Sequence, residues 1–139
     1  MAYRDDTERH DELVSIIARE RFPFPDLEHP NWETFTNHPD QTMGVLNEEE
    51  EPLYPDIVVL NTDNNEAVMI GEIETSESVS EEESEQWKEY SDVAKPLYLY
   101  VPKGYCKEAK DLAEDAGAEI KGFRIYYVNL SGEIQIENC

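Results

Sequence analysis

The feature that most constrains the fold is a pair of apolar runs separated by a polar turn in the middle of the chain. The runs cover residues 56–60 and 67–73, and the segment between them, Asn61 to Asn65, has the composition of a tight turn. The two runs are therefore predicted to pair as a β-hairpin. Both are apolar on both faces, which is typical of central strands that are covered by helices.

A helix is predicted before the hairpin, over about residues 5–21, because acids crowd its start and an apolar stripe runs along it. The prolines at positions 23 and 25 end this helix. Residues 26–52 are irregular, and a short strand is expected near residues 34–37 or near residues 43–46. A long irregular connection in a small domain is often functional or mobile.

A second helix is predicted after the hairpin. Ser80 and Glu83 match a capping box at its start, and it extends to about Ala94. A strand at 97–101, a helix at 105–116 that stops at Gly117, and strands at 123–128 and 133–136 follow. This order predicts an α/β or α+β fold in which helices flank a mixed sheet. With 139 residues, the whole chain (1–139) is expected to form a single domain.

The chain is strongly acidic, with a formal net charge of −22 and no lysine or arginine between Arg21 and Lys88. This argues against a general nucleic-acid-binding protein, because phosphate contacts come mainly from basic side chains. Three interpretations remain open: a solvated acidic surface, acids gathered around metal ions, or imitation of the charge of a nucleic acid.

Several other classes of protein do not match the sequence. The chain has no apolar stretch long enough to span a membrane and no signal peptide, so no membrane partner is expected. Cys106 and Cys139 are not expected to form a disulfide framework, so a cytoplasmic location is predicted. The three histidines, His10, His29 and His38, lack the spacing of zinc ligands.

Three acids of the hairpin are candidates for a metal site. Glu72 and Glu74 are two residues apart on one predicted strand, so they share a face. If the turn is centred near Asn64, Asp56 lies opposite Glu72, at a Cβ separation of about 5 Å. Carboxylates that close repel unless a cation lies between them, and their oxygens suit Mg²⁺ or Mn²⁺. A shift of one residue would instead place Asp56 beside Gly71.

The segment Tyr54-Pro55-Asp56-Ile57-Val58-Val59, followed by Ile70-Gly71-Glu72-Ile73-Glu74-Thr75, resembles the paired signature of the PD-(D/E)XK nuclease superfamily. The resemblance implies a restriction-endonuclease-like αβββαβ core over about two thirds of the chain. It also implies a nuclease that hydrolyses phosphodiester bonds in DNA, or in RNA, with Mg²⁺ or Mn²⁺. Many nucleases of this fold act as dimers, which makes a homodimer compatible with the resemblance.

The resemblance also assigns roles to individual residues. Asp56, Glu72 and the main-chain carbonyl of Ile73 would hold the metal. Glu74 stands where the family has lysine and would act as a general base or as a ligand for a second ion. Glu12 matches an additional metal-associated acid on the first helix, and Gln86 matches a polar residue near the scissile phosphate. For both, the ordinary alternative is a solvated side chain on a helix surface. Lys88 is a candidate for a displaced ammonium group.

Lysines late in the chain are the candidates for contacts to a nucleic-acid backbone. Lys103, Lys107 and Lys110 recur at nearly helical spacing, and Lys95 is near them in the sequence. Arginines at positions 4, 9, 19 and 21 add positive charge to the first helix.

The competing hypothesis is a catalytically inactive nuclease-fold scaffold that acts as an acidic protein-binding module.

Overall fold

A six-stranded mixed sheet with helices on both faces forms the centre of the molecule. The computed structural model describes residues 6–93 and 96–139, so the predicted helix start at Asp5 and the predicted helix end at Ala94 lie outside the described residues. The elements are α1 (Asp6–Arg21), β1 (Trp32–Thr36), β2 (Val45–Leu46), β3 (Pro52–Leu53), β4 (Ile57–Asn61), β5 (Glu66–Ile73), α2 (Glu81–Val93), β6 (Leu97–Pro102), α3 (Cys106–Ala116), β7 (Gly122–Val128) and β8 (Ile134–Asn138).

The strands of the main sheet are arranged in the order β1-β4-β5-β6-β7-β8. β4 pairs antiparallel with β1 and β5, β6 pairs parallel with β5 and β7, and β8 pairs antiparallel with β7. β2 and β3 form a separate two-stranded ladder. The predicted mixed sheet flanked by helices is therefore correct. Both places that were offered for a short strand before the hairpin contain one, β1 and β2.

Successive residues of the central strands enter two different cores, because their side chains alternate between the faces of the sheet. On one face, Val58 and Ile70 pack with Trp87 of α2 and with Ala109 of α3. On the other face, residues such as Ile57 pack against α1. Two-sided burial explains why the hairpin strands lack the alternation of polar and apolar residues that is typical of a half-exposed sheet.

The register of the hairpin brings its carboxylates together. Ile57 pairs with Gly71 and Val58 with Ile70, so one further step places Asp56 beside Glu72 as predicted. A β-bulge between Val59 and Leu60 then shifts the pairing by one residue towards the turn. The register is therefore different at the two ends of the hairpin, and the predicted one applies at the end that carries the acids.

Two of the predicted helix signals have the expected geometry. Ser80 Oγ accepts a hydrogen bond from the Glu83 N–H at 3.2 Å, which caps the start of α2. Gly117 adopts a left-handed conformation with a φ of 75° and ends α3. Trp87 and Tyr90 lie in the core, as their helical spacing indicates. None of the described helices has the length and apolar character that crossing a bilayer requires.

The two cysteines form a disulfide, which the sequence analysis did not expect. Cys106 is the first residue of α3, Cys139 follows β8, and their Cα atoms are 6.0 Å apart. The pair meets because α3 covers β7, and β8 runs antiparallel to β7 and returns the chain end to α3. Cysteine counting along the sequence cannot anticipate this pairing, because it depends on where the last strand is placed.

Replacing Cys139 with serine is expected to lower the free energy of unfolding by about 3 kcal/mol. The bond joins residues that are 33 positions apart, and a cross-link of this span restricts the unfolded chain by roughly that amount. Urea denaturation of the oxidised protein, of Cys139→Ser and of the reduced wild type measures the effect. The reduced wild type should match the variant, and equal stability of all three proteins would contradict the prediction.

Candidate metal centre

Three buried carboxylates lie at one end of the hairpin. Asp56 directly precedes β4, Glu72 is close to the end of β5, and Glu74 directly follows it. Their relative exposures are 5%, 4% and 3%, respectively. Strand geometry places all three on the face of the sheet that α2 covers. The structure therefore brings together the three acids that the sequence analysis singled out.

Main-chain groups fix two of these carboxylates relative to each other. The Asp56 N–H donates to Glu72 Oε1 at 2.9 Å, and the Ile73 N–H donates to Asp56 Oδ2 at 2.8 Å. Because the donors belong to the hairpin backbone, the side chains are oriented by the same register that brings the strands together. The site is thus part of the rigid sheet rather than of a loop.

Glu74 is held by side chains from outside the hairpin. Trp87 Nε1–H of α2 donates to Glu74 Oε1 at 2.9 Å, and the Ser78 hydroxyl donates to Glu74 Oε2. The Tyr126 hydroxyl donates to the main-chain carbonyl of Glu74. Where the resembled family has lysine, this chain therefore has a buried carboxylate with a donor on each oxygen.

Two histidines contact Asp56, and the sequence analysis missed both. His10 Nε2 lies 3.2 Å from Asp56 Oδ2 and 2.8 Å from the Ile73 carbonyl oxygen. A carbonyl oxygen can only accept, so this nitrogen carries the proton. His38 Nε2 lies 2.8 Å from Asp56 Oδ1, and His38 Nδ1 lies 3.1 Å from Asp11 Oδ1. The imidazole rings meet edge to face with centroids 4.5 Å apart.

One signal for His10 was present in the sequence. Leu13, Val14 and Ile17 form the buried stripe of α1, and His10 precedes them by three, four and seven positions. These intervals place it on the same helix face. His38 has no comparable signal, because it follows β1 in an irregular connection whose path is set by the tertiary structure. Spacing along the chain does not show that His10 and His38 meet.

Burial and neighbouring charge shift the ionisation of the three acids in different directions. Burial, together with Asp56 and Glu74, raises the pKa of Glu72 well above its ordinary value. Burial likewise raises the pKa of Glu74 to about 7, against the hydrogen bonds from Ser78 and Trp87. Burial alone would raise the pKa of Asp56, but hydrogen bonds from both histidines lower it below its usual value.

The pKa values of the two histidines are raised. Burial opposes protonation of His10, but its contacts with Asp56 and with the Ile73 carbonyl outweigh burial and raise its pKa to about 9. The hydrogen bond to Asp56 also raises the pKa of His38. The contacts with Asp56 therefore favour the protonated form of both imidazoles.

A cavity of about 320 Å³ opens over this cluster. Its wall contains the three carboxylates and both histidines, and Gln86 and Glu83 of α2 complete one side. Gln86 is exposed and borders the cavity. No lysine or arginine of residues 6–93 and 96–139 lines this cavity.

Glu12 does not join the cluster. It is exposed and lines a different groove of about 510 Å³, beside Arg9 and Arg19. The physical reason is the helical repeat: Glu12 is two residues from His10, which turns its side chain about 200° around α1. The face of α1 that reaches the acids carries a histidine instead of the predicted acid.

Of the predicted nucleic-acid-binding lysines, Lys107 and Lys110 lie on α3 and Lys103 directly follows β6, and these three do not line the cavity. Lys103 Nζ lies over the Tyr127 ring at 4.5 Å, and Lys110 Nζ lies over the Phe123 ring at 5.8 Å. Lys107 forms an ion pair with Asp111 at 2.9 Å. Lys88 pairs with Asp92 on α2 and does not line the cavity. Lys95 and Arg4 lie outside the described residues.

No protein-family model, no curated protein and no solved structure matches this chain. The resemblance to a nuclease superfamily therefore rests on the residues of the hairpin.

Proposed function

We propose that this chain is a metal-dependent, nuclease-like protein that hydrolyses phosphodiester bonds in DNA, or in RNA. We further propose that its core is the restriction-endonuclease-like αβββαβ fold. When the separate β2–β3 ladder is left aside, the order α1, β1, β4, β5, α2, β6 supports this assignment, as does the central position of β4 and β5.

One observation supports the metal site in this proposal. His10 Nε2 contacts Asp56 Oδ2 and the Ile73 carbonyl oxygen at the same time, and Glu72 is hydrogen-bonded to the backbone of Asp56. A single positively charged group can therefore be surrounded by oxygens from both strands of the hairpin. Asp56, Glu72 and the Ile73 carbonyl would hold Mg²⁺ or Mn²⁺, since both ions prefer oxygen ligands.

The buried acids of this chain have distinct roles in the proposed reaction. A divalent ion supplies Lewis-acid stabilisation of the charge on the phosphodiester. Glu74, with a pKa of about 7, is suited to accept a proton near neutral pH, and its hydrogen bonds to Trp87 and Ser78 hold it in place. Gln86 at the cavity edge can donate a hydrogen bond to a phosphate oxygen.

Cleavage of plasmid, single-stranded and junction DNA, and of RNA, tests the proposal in the presence of Mg²⁺ or Mn²⁺. Asp56→Ala is expected to lower the rate by about a hundredfold or more, since even supporting residues of metal sites contribute 10- to 100-fold. Glu66→Gln, which changes an exposed acid at the start of β5, serves as the matched control. Cleavage that persists unchanged in Asp56→Ala, or no cleavage of any substrate, would refute the proposal.

The absence of lysine and arginine from the cavity wall over the described ranges favours a second candidate function. A polyanionic substrate would meet mainly carboxylates there, with His10 and His38 as the basic side chains of the wall. The alternative is an inactive nuclease-fold scaffold that binds another protein through its acidic surface. It predicts a folded chain that neither cleaves nucleic acid nor binds Mg²⁺ or Mn²⁺.

A further inference from the structure

Two nitrogen donors and one oxygen donor converge beside the buried carboxylates. One ring nitrogen of His10, one ring nitrogen of His38 and one carboxylate oxygen of Asp11 all lie within 4.8 Å of one another. His10 and Asp11 are adjacent on α1, whereas His38 comes from the connection after β1. This grouping is thus created by the tertiary structure, and none of its three members belongs to the hairpin motif.

The two nitrogens of His38 have different partners. Nε2 lies 2.8 Å from Asp56 Oδ1, and Nδ1 lies 3.1 Å from Asp11 Oδ1. Histidines that bind metal ions commonly donate their other ring N–H to a carboxylate, which fixes the ring and its tautomer. Asp56 can play this supporting part for His38, and Nδ1 is then directed at Asp11 for use as a ligand.

The donor set selects a particular class of ion. Imidazole nitrogen together with one carboxylate suits Zn²⁺ and Co²⁺, whereas Mg²⁺ prefers oxygen ligands throughout. Tetrahedral zinc at bond lengths of about 2.0–2.1 Å holds its ligand atoms about 3.3 Å apart. The three side chains are 19–32% exposed, so small rotations can bring their donor atoms to that spacing.

We propose that His10, His38 and Asp11 bind one zinc-like transition-metal ion, Zn²⁺ or Co²⁺, next to the carboxylate cluster. Three protein ligands leave a fourth position for water or for a group of a bound molecule. This inference goes beyond the proposed nuclease activity, because the site would exist whether or not the chain cleaves nucleic acid.

Titration of the untagged, metal-free chain with Co²⁺ at pH 8 tests the site, followed by visible absorption and by calorimetry. A moderately alkaline pH is used because protons compete with metal ions for imidazole. We expect Co²⁺ to bind, to give a visible absorption band and to be displaced by Zn²⁺. His38→Gln and Asp11→Asn should each weaken binding at least tenfold. His29→Gln, which changes the histidine stacked on Trp32, should leave binding unchanged.

Two outcomes would overturn the inference. One is the lack of Co²⁺ and Zn²⁺ binding to a chain whose circular dichroism shows it to be folded. The other is equal affinity in the wild type, His38→Gln and Asp11→Asn. Cleavage supported by Mg²⁺ without Co²⁺ binding would refute the proposed His–Asp site and support the proposed function. Co²⁺ binding that depends on His38, in a chain that does not cleave, would support the site and refute the proposed function.

Discussion

Substitution of Trp87 by alanine is expected to destabilise the protein by about 4 kcal/mol. Trp87 is fully buried in the core between the sheet and α2, so its removal leaves a large cavity. The same change deprives Glu74 Oε1 of its indole donor, which adds the cost of an under-satisfied buried carboxylate. Urea denaturation at pH 7 measures the change in the free energy of unfolding.

Trp87→Phe separates the two contributions to this effect. Phenylalanine keeps most of the apolar volume but has no N–H group, so its cost should be smaller and should come mainly from the lost hydrogen bond. Because that hydrogen bond favours ionised Glu74, the variant should also raise the pKa of Glu74 further. A loss below about 1 kcal/mol in Trp87→Ala would show that the indole is not a main element of the core.

The second large effect concerns pH. In EDTA, the free energy of unfolding is expected to fall by on the order of 3 kcal/mol between pH 5 and pH 8. Glu74 has a pKa of about 7 in the folded chain and 4.5 ordinarily, so the folded state retains a proton that the unfolded state has lost. Stability therefore decreases as the pH rises from 4.5 to 7. The raised pKa of Glu72 acts in the same direction.

The histidines extend the loss of stability to higher pH, and the Asp56 carboxyl affects stability only at low pH. The pKa of His10 rises from 6.5 to about 9 on folding, so its contribution is complete below 6.5 and is lost as the pH passes 9. Because the pKa of Asp56 is lowered from its ordinary value of 3.8, the carboxylate stabilises the folded chain above pH 3.8. This stabilisation is lost only in more acidic solution. The loss between pH 5 and pH 8 thus comes from the glutamates and the histidines.

Urea denaturation at a series of pH values measures this profile, with Glu74→Gln as the matched variant. Glutamine keeps the shape of the side chain and has no charge to bury, so the variant should lose much less stability between pH 5 and pH 8. A wild-type stability that stays constant or increases over this range would contradict the prediction. A saturating divalent ion should reduce the loss, because it binds the folded state only.

The hairpin could be predicted because its information is local. Turn residues and apolar runs located the two strands, and an assumed centre near Asn64 gave the register that places Asp56 beside Glu72. The turn-side pairs, Leu60 with Ala67 and Asn61 with Glu66, follow a register one residue different. The prediction was right at the acids because the bulge compensates for that difference before the site is reached.

The remainder of the site depends on which helix faces meet the sheet, and the sequence alone did not determine this. The predicted acid of α1, Glu12, faces a separate groove, and His10 occupies the position over Asp56. Lys103 and Lys110, two members of the predicted basic stripe, lie over aromatic rings of β7. The Cys106–Cys139 bond likewise required the path of β8, which returns the chain end to α3.

The bulge between Val59 and Leu60 also divides the hairpin into a part where the strand length is strictly constrained and a part where it is not. On the site side of the bulge, any insertion or deletion would move Asp56 away from Glu72 and change which side chains face α2. On the turn side, residues 62–65 connect the strands in solvent, and besides the closing pairs Thr62 and Asp63 hydrogen-bond to Asn31. The hairpin tip is therefore the natural place for length variation, or for attaching a reporter, without disturbing the carboxylates.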